Sequence, residues 1–358
     1  MTSIISAVIV LGILVFVHEL GHFIFAKRLG IGVITFSLGF GPKLIGRRYG
    51  ETQYQVAAVP LGGYVKLIGE NPEEEVKEVD RTRSFSAAPI WKRAMIISAG
   101  PFFNFFLAIV LFSTINLFGI PHLPAKIGEL SPGLPAETVG LKKGDLVLSI
   151  DRQKVTRWDD LSRIIRGSQG KELALQVKRN GETLEIKVTP QSSKTKNLFG
   201  EEVQIFMIGI QPSDDVIVEE VSPVVAVGMG FAQTWGATKM TVVSIWKLIQ
   251  RVIPAKTIGG PIMIVQLAGE QAKRGILSFA LFMAILSINL GVINLFPIPI
   301  LDGGHFIFLV SEAILRKPVS IKKMEIAQQI GLILIVLLMV FAFYNDILRL
   351  VSPEGFKF

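Results

Sequence analysis

The feature that most constrains this chain is a charged motif, His18-Glu19-Leu20-Gly21-His22, inside an apolar run over residues 4–26. An ionisable residue at the centre of a membrane-spanning helix costs about 2.5–3.5 kcal/mol on insertion scales, so such a cluster indicates a functional site. On a helix, His18 and His22 lie one turn apart on one face, where two imidazole nitrogens can bind one zinc ion. Glu19 then lies beside the metal as a general base rather than a ligand. The pattern therefore predicts a zinc site whose third ligand comes from elsewhere in the chain.

Composition narrows the class of protein. Of the 358 residues, 50% are hydrophobic and none is cysteine, which is typical of a membrane protein with some water-soluble mass and excludes a disulfide-stapled secreted domain. Without cysteine, a zinc ion must be held by histidine and carboxylate ligands, the usual set of catalytic sites. The net charge is +8, but the basic residues are dispersed and no motif combines them with stacking aromatic residues. We therefore expect no nucleic-acid partner.

Four segments are long and apolar enough to cross a lipid bilayer, which takes about 20 residues. We predict these spans at residues 2–26, 94–118, 275–301 and 326–350. The first segment lacks the basic start and small-residue cleavage site of a signal peptide, so we expect it to be retained. The predicted fold class is a polytopic α-helical membrane protein with four transmembrane helices.

Positive charge close to the spans predicts the orientation. The loops 27–93 and 302–325 carry basic residues next to the spans, namely Lys27, Arg28, Lys92, Arg93, Arg316, Lys317, Lys322 and Lys323. Both loops are therefore predicted to be cytoplasmic. The long segment 119–274, the N-terminus and the C-terminal tail 351–358 are then extracytoplasmic.

The loop 27–93 has the glycines and β-prone residues of short strands and hairpins. A predicted strand over residues 52–59 lies between Gly39-Phe40-Gly41-Pro42 and the stretch 61–66. Because its flanks are apolar, we expect this hairpin to dip into the membrane toward the site, where non-helical backbone must be buried in protein or face a wet cavity. The alternative is a small hairpin in solvent. Residues 72–83 are typical of a charged surface loop.

The predicted domain 119–211 is a soluble α+β module. Residues 173–177 and 184–188 alternate around Asn180-Gly181, which predicts a hairpin with a type I′ turn. The run 140–151 and a short amphipathic helix near 158–166 precede it. The run Gly144 to Asp151, with this helix and hairpin, resembles a PDZ domain, a class that binds extended peptides by strand addition. In circularly permuted bacterial PDZ domains, the strand that binds the peptide carboxylate comes last. Ile208, Gly209 and Ile210 resemble the core of that strand, which implies that a peptide binds in a groove beside them.

Residues 212–274 mix apolar and polar positions and include Trp235 and Trp246. This mixture favours an amphipathic helix on the outer membrane surface over a fifth span.

The end of the third span supplies the missing ligand. Two prolines, Pro297 and Pro299, and the pair Gly303-Gly304 predict a break in the helix that can aim Asp302 inward. Under the predicted orientation, His22 and Asp302 both fall toward the cytoplasmic end. His18, His22 and Asp302 then leave the fourth tetrahedral position to water.

Span two contains an amide, Asn104, which must find a partner inside the helix bundle. Spacing alone does not distinguish an interhelical contact from a contact with substrate.

The His-Glu-Leu-Gly-His motif, the later Asn-x-x-Pro-x-Pro-x-Leu-Asp-Gly-Gly motif and the PDZ-like module between them resemble the site-2 protease family of intramembrane zinc metalloproteases, in its bacterial RseP-like branch. The resemblance implies zinc ligands at His18, His22 and Asp302, with Glu19 as the catalytic residue. It also implies residues that handle substrate, in the hairpin and near the site, namely Gly62, Gly63, Tyr64, Asn104, Asn294 and Pro297.

The resemblance further implies a multi-pass protein of the bacterial inner membrane, with its site toward the cytoplasm. Its partners would be the lipid bilayer and single-pass membrane proteins, cut within their transmembrane segments, of the anti-sigma-factor or remnant-signal-peptide type. One departure concerns domain count: the best-known RseP proteins carry two PDZ domains, whereas this chain has room for one.

Two other classes stay open on sequence alone: a membrane metal transporter, and a PDZ scaffold with a structural zinc site. A transporter is expected to show internal repeats, which we do not find. A scaffold has no need for Glu19, because that residue is not a ligand.

Overall fold

The computed structural model describes residues 2–70, 78–197 and 199–351. Residues 72–77 of the predicted surface loop 72–83 and the tail after residue 351 lie outside this range, and the rest of that loop, Glu78–Arg83, forms a short 3-10 helix. The helices are α1 (Thr2–Arg28), α2 (Ile90–Leu117), α3 (Pro135–Thr138), α4 (Trp158–Gly167), α5 (Pro223–Ile249), α6 (Pro261–Arg274), α7 (Ile276–Asn294), α8 (Asp302–Leu315) and α9 (Ile321–Val351). The strands are β1 (Val33–Tyr49), β2 (Thr52–Leu67), β3 (Ile120–His122), β4 (Ile127–Leu130), β5 (Leu146–Ile150), β6 (Gln153–Lys154), β7 (Leu173–Arg179), β8 (Glu182–Val188), β9 (Gln191–Lys196), β10 (Glu202–Met207), β11 (Ile210–Pro212) and β12 (Ile217–Glu219).

The chain forms two compact units. The first comprises residues 1–115, 224–246 and 254–358, and the second comprises residues 116–223 and 247–253. Among the described residues, α1, α2, α7 and α9 are the helices long and apolar enough to cross a membrane. The four predicted spans are thus confirmed by length and composition.

In the first unit, α1, α2 and α7 pack together. Val10 and Leu14 of α1 form one buried cluster with Met283 of α7, and Ala108 of α2 packs in another with Ile288 of α7. A glycine sets the distance between α1 and α2, because a Cβ on Gly21 would lie 2.4 Å from a backbone oxygen of α2. Small residues at such crossings let two helix backbones approach closely.

The strands β1 and β2 form a larger sheet than the predicted strand at 52–59. The first half of β1 has neighbours on both sides: Thr35 pairs with Lys66 and with Gln53, and Ser37 pairs with Tyr64 and with Gln55. Phe36 and Val65 of this sheet pack in one cluster with Ala26 at the end of α1 and Ile96 near the start of α2. The sheet is therefore anchored on α1, which carries His18 and His22, and on α2.

The predicted break after the third span is confirmed, since α7 ends at Asn294 and α8 begins at Asp302. A Cβ on Gly303 would lie 2.3 Å from the backbone oxygen of Leu295, and one on Gly304 would lie 2.2 Å from that of Ile298. Only glycine permits this close approach of the proline loop to the start of α8. The predicted loop 302–325 instead contains the 14-residue helix α8, which the low helix propensity of two adjacent glycines conceals in the sequence.

The second unit contains a four-stranded sheet in the order β6-β5-β7-β8, with antiparallel neighbours. The helix α4 contributes Leu161 and Ile165 to a core shared with Ile150 and Leu175. The predicted hairpin and helix are confirmed. In the turn, Asn180 and Gly181 have φ values of 50° and 95°, as a type I′ turn requires.

The region predicted to lie on the membrane surface forms α5 and α6. Helix α5 packs closely on α2, since a Cβ on Gly230 would lie 2.3 Å from Ser113 Oγ. Helix α6 approaches α1 in the same way, with Gly269 against Ser3. The placement of this region on the outer membrane surface stays a prediction.

Candidate metal centre

Three side chains from α1 and α8 meet in the first unit. The Nε2 atoms of His18 and His22 are 3.3 Å apart. Asp302 Oδ2 lies 3.2 Å from Nε2 of His18 and 3.6 Å from Nε2 of His22. A tetrahedron with metal–ligand bonds of about 2.0–2.1 Å has edges of about 3.3 Å. The triangle of donor atoms thus has the size of one face of a zinc coordination tetrahedron.

The donor set fits zinc chemically as well. Two imidazoles and one carboxylate leave one tetrahedral position open, which is the arrangement of catalytic rather than structural sites. Asp302 Oδ2 is buried and has no hydrogen-bond partner. A buried carboxylate oxygen without a hydrogen bond is costly unless a cation or another partner compensates it. The group therefore has the size, the ligand types and the unsatisfied oxygen of a metal site.

The orientation of His22 comes from α2. Its Nδ1 donates a hydrogen bond to the backbone oxygen of Ile96, at 2.8 Å, which leaves the lone pair of Nε2 free for a metal. Gly100, one turn further along α2, lies against both imidazoles: a Cβ there would be 2.2 Å from His22 Nε2 and 2.8 Å from His18 Cε1. Neither Ile96 nor Gly100 was predicted from the sequence as part of the site. The available signal was Gly100 itself, a small residue inside a predicted span and one helical turn before Asn104.

Two amides surround His18. Asn104 Nδ2 of α2 lies 3.1 Å from His18 Nδ1, and Asn294 Nδ2 at the end of α7 lies 3.5 Å from Nδ1 and 3.4 Å from Nε2. Asn104 is fully buried, and its backbone oxygen accepts a hydrogen bond from Ser287 Oγ at 2.8 Å. The structure thus places both predicted asparagines at the same histidine. Pro297 lies three residues beyond Asn294, exposed in the loop before α8.

Glu19 lies where the sheet passes α1. A Cβ on Gly63 would be 3.0 Å from Glu19 Cγ and 2.9 Å from Val15 Cγ1, so a larger residue would push the strand away. Next to it, the Tyr64 hydroxyl accepts a hydrogen bond from Gln55 Nε2 at 3.2 Å, and the Tyr64 ring stacks on Phe40. Of the predicted hairpin residues, Gly63 therefore lies beside the predicted general base, and Gly62 and Tyr64 are its neighbours along the strand.

The three predicted groove residues belong to the second unit. Ile208 is buried, and its backbone oxygen accepts the N–H of Ala136 at 2.8 Å. The oxygen of Gly209 accepts the N–H of Ser131 at 2.9 Å, and Ile210 begins β11, which pairs with β4. These backbone oxygens are therefore engaged within the module. A peptide-binding role for this segment stays a prediction.

Comparison with known proteins decides the family. A family model described as peptidase family M50 matches residues 6–338. This chain belongs to peptidase family M50. The chain is 36% identical over 352 residues to a candidate zinc metalloprotease of Rhizobium meliloti (strain 1021), covering 94% of each protein. It is 31% identical over 429 aligned residues to the zinc metalloprotease RasP of Oceanobacillus iheyensis, covering 98% of this chain and 100% of RasP.

Family membership and these relatives establish the class of activity. The protein is an intramembrane zinc metalloprotease of the site-2 protease type, as the two motifs predicted. The alternatives left open by the sequence, a metal transporter and a scaffold with a structural zinc site, are thereby excluded as the primary function.

Proposed function

We propose that this protease uses His18, His22 and Asp302 as its zinc ligands and hydrolyses peptide bonds within transmembrane segments of single-span proteins. The observation that carries the proposal is the triangle of two imidazole nitrogens and one carboxylate oxygen, with edges of 3.2, 3.3 and 3.6 Å. Bound zinc supplies a Lewis acid and lowers the pKa of water toward about 7.

Glu19 is the proposed general base and acid. It follows His18 directly on α1 and lies beside Gly63. From there its carboxylate takes a proton from the attacking water and returns a proton to the leaving amine. Asn294 and Pro297 are proposed to hold the substrate, because they lie at the end of α7 and in the loop that leads to Asp302.

The strand segment at Gly62, Gly63 and Tyr64 is proposed to present the substrate. A transmembrane helix hides its carbonyl groups in hydrogen bonds to residues four positions along, so it must unwind before hydrolysis. Residues 63–66 pair with β1 on one side, and the passage of Gly63 against α1 brings this strand to Glu19. Strand addition to this sheet would replace the backbone hydrogen bonds that the substrate loses.

The proposal also covers the substrate class and the location of the protein. We propose substrates of the anti-sigma-factor or remnant-signal-peptide type, in the bacterial inner membrane. In this proposal the PDZ-like module and both termini are extracytoplasmic and the zinc site is toward the cytoplasm, because basic residues lie next to the spans in the loops 27–93 and 302–325. The module, through Ile208, Gly209 and Ile210, would bind a peptide or exclude substrates with bulky outer domains.

The test compares wild type with Glu19→Gln, Asp302→Asn and the control Glu270→Gln, which changes an exposed carboxylate of α6. Bound zinc and cleavage of a model single-span protein are measured for each. Glu19→Gln should retain zinc and lose cleavage by about 10²-fold or more, Asp302→Asn should lose both, and Glu270→Gln should change neither. Unchanged cleavage by Glu19→Gln would contradict its assigned role.

A further inference from the structure

Helix α2 contacts both histidines of the donor triangle along one face. Ile96, Gly100 and Asn104 are spaced four residues apart, so they form a continuous row on this helix. The backbone oxygen of Ile96 accepts a hydrogen bond from His22 Nδ1, and Asn104 contacts His18 Nδ1. Because Asn104 has an exposed fraction of 0%, its amide faces His18 rather than an open cleft.

The chemistry of His18 specifies what Asn104 must offer. His18 Nε2 is the nitrogen that points at His22 and Asp302. When Nε2 binds a metal, the neutral imidazole carries its proton on Nδ1, and a buried N–H needs an acceptor. Asn104 Oδ1 is buried and has no hydrogen-bond partner, while the Nδ2 group of the same amide faces His18 Nδ1.

The amide of asparagine has nearly the same shape in two orientations that exchange oxygen and nitrogen. In the orientation with Nδ2 on His18 Nδ1, that nitrogen must be an acceptor, and the proton sits on Nε2, where it blocks the metal. The opposite orientation places Oδ1 on a protonated Nδ1 and frees the Nε2 lone pair. Metal binding at His18 and the orientation of the Asn104 amide are therefore coupled.

We propose that Asn104 is a positioning residue: its amide oxygen accepts the Nδ1 proton of His18 and holds this histidine in its metal-binding tautomer. The inference rests on the proposed ligand set. It assigns Asn104 to the metal centre rather than to substrate contact. Each histidine would then donate its Nδ1 proton to an oxygen of α2, His22 to the backbone of Ile96 and His18 to the side chain of Asn104. Asn294 is less suited to this task, because its Nδ2 lies 3.5 Å from His18 Nδ1, whereas the Asn104 amide lies 3.1 Å from that atom.

The first test measures zinc affinity by chelator competition on the purified full-length protein. Asn104→Leu keeps the size of the side chain but removes the acceptor, and it should weaken zinc binding about 10- to 100-fold. Asn104→Asp keeps an acceptor and should bind zinc within a few-fold of wild type. The control Asn345→Leu removes another buried amide, from α9, and should leave zinc affinity unchanged.

The second test observes the tautomer of His18 directly in the wild-type protein. The chain has only four histidines, so selective ¹⁵N labelling of histidine, with His18→Ala to assign its signals, resolves the ring of His18 by NMR. In the zinc-loaded wild type, His18 should be protonated at Nδ1 and bound through Nε2.

Two results would overturn the inference: His18 protonated at Nε2 with zinc present, or wild-type zinc affinity in folded Asn104→Leu. Failure of the ligand set itself is distinguishable, because His18→Ala would then retain zinc. If His18→Ala loses zinc while Asn104→Leu retains it, the ligand assignment stands and only the role of Asn104 fails.

Discussion

Gly100 of α2 lies directly against His22 of α1, so closely that a Cβ at position 100 would be 2.2 Å from Nε2 of the imidazole. The backbone of α2 thereby approaches the donor triangle more closely than any side chain would permit. One turn earlier, the same helix holds His22 through the 2.8 Å hydrogen bond to Ile96.

The first prediction concerns the close packing of Gly100 against His22. Gly100→Ala should displace the His22 ring or separate α1 from α2, and so lower zinc affinity and protease activity by about tenfold or more, as changes in the support of a metal ligand do. Zinc titration and a cleavage assay measure the two effects.

A matched control is Gly12→Ala on α1, where nothing lies within 4 Å of the added methyl group. This substitution should leave zinc affinity unchanged and slightly favour the helix. Equal zinc affinity in Gly100→Ala and wild type would show that the site tolerates a wider gap between the two helices.

A second prediction concerns metal removal. Chelation should abolish cleavage, and added zinc should restore it. Because zinc binds only the folded site, free zinc at about 100 times its dissociation constant should stabilise the wild type by about 2.7 kcal/mol and raise its melting temperature. Asp302→Asn should show little of this shift, since it removes the charge of the proposed ligand; an equal shift in this variant would point to zinc bound elsewhere.

A third prediction concerns pH and the second unit. Asp145 is 1% exposed, and its two carboxylate oxygens accept hydrogen bonds from Arg179, each at 2.7 Å. Burial alone would raise the pKa of Asp145, but the Arg179 guanidinium and the N–H of Lys142 hold that pKa below its usual value. A depressed folded-state pKa stabilises the fold above the unfolded pKa, about 4, and this stabilisation is lost as pH falls through the folded value.

Asp145→Asn should therefore destabilise the module at pH 7 by about 2 kcal/mol, because a charge-assisted hydrogen-bonded pair is lost while Arg179 stays partly accessible to water. It should also flatten the decline in stability below about pH 4. Thermal unfolding of the full-length protein as a function of pH measures both. A variant as stable as wild type at neutral pH would rule out this pair as a major support of the module.

A fourth prediction concerns α6. Asp346 of α9 is fully buried, and its carboxylate accepts the backbone N–H groups of Gly260 at 2.9 Å and Met263 at 3.1 Å, at the start of this helix. Asp346→Ala should destabilise the protein by about 2 kcal/mol, because buried N–H groups at a helix start lose their acceptor. Asp214→Ala, at an exposed carboxylate of the second unit, should change the melting temperature little.

The residues of the metal centre differ in how well sequence predicts them. His18 and His22 follow from helical spacing alone, since any helix brings positions four apart to one face. Asp302 lies 280 positions from His22, and its inclusion rested on the predicted depth in the membrane and on the helix break that Pro297 and Gly303 indicate. Helical spacing and the helix break are read from a few neighbouring residues, and membrane depth is read from position along a span. None of these signals requires knowing how the helices pack.

The roles of Gly100, Ile96 and Asn104 could not be predicted in this way. Gly100 looks like any small residue of a span, and the oxygen of Ile96 carries no side-chain signal. Asn104 was identified as a buried amide, but its partner was not. Each role depends on the rotation of α2 about its axis relative to α1, which neither hydropathy nor charge specifies.

The sequence by itself determined the class of protein, the four spans, the zinc-site motif and the hairpin around Asn180-Gly181, because these depend on apolar length, helical period and turn chemistry within a few residues. The tertiary structure alone decided the helix–helix distance at Gly100, the amide facing His18, the cap that Asp346 provides to α6, and the strand that passes Glu19. These features arise from close packing between segments distant in the chain, where a single methyl group changes whether two backbones can approach.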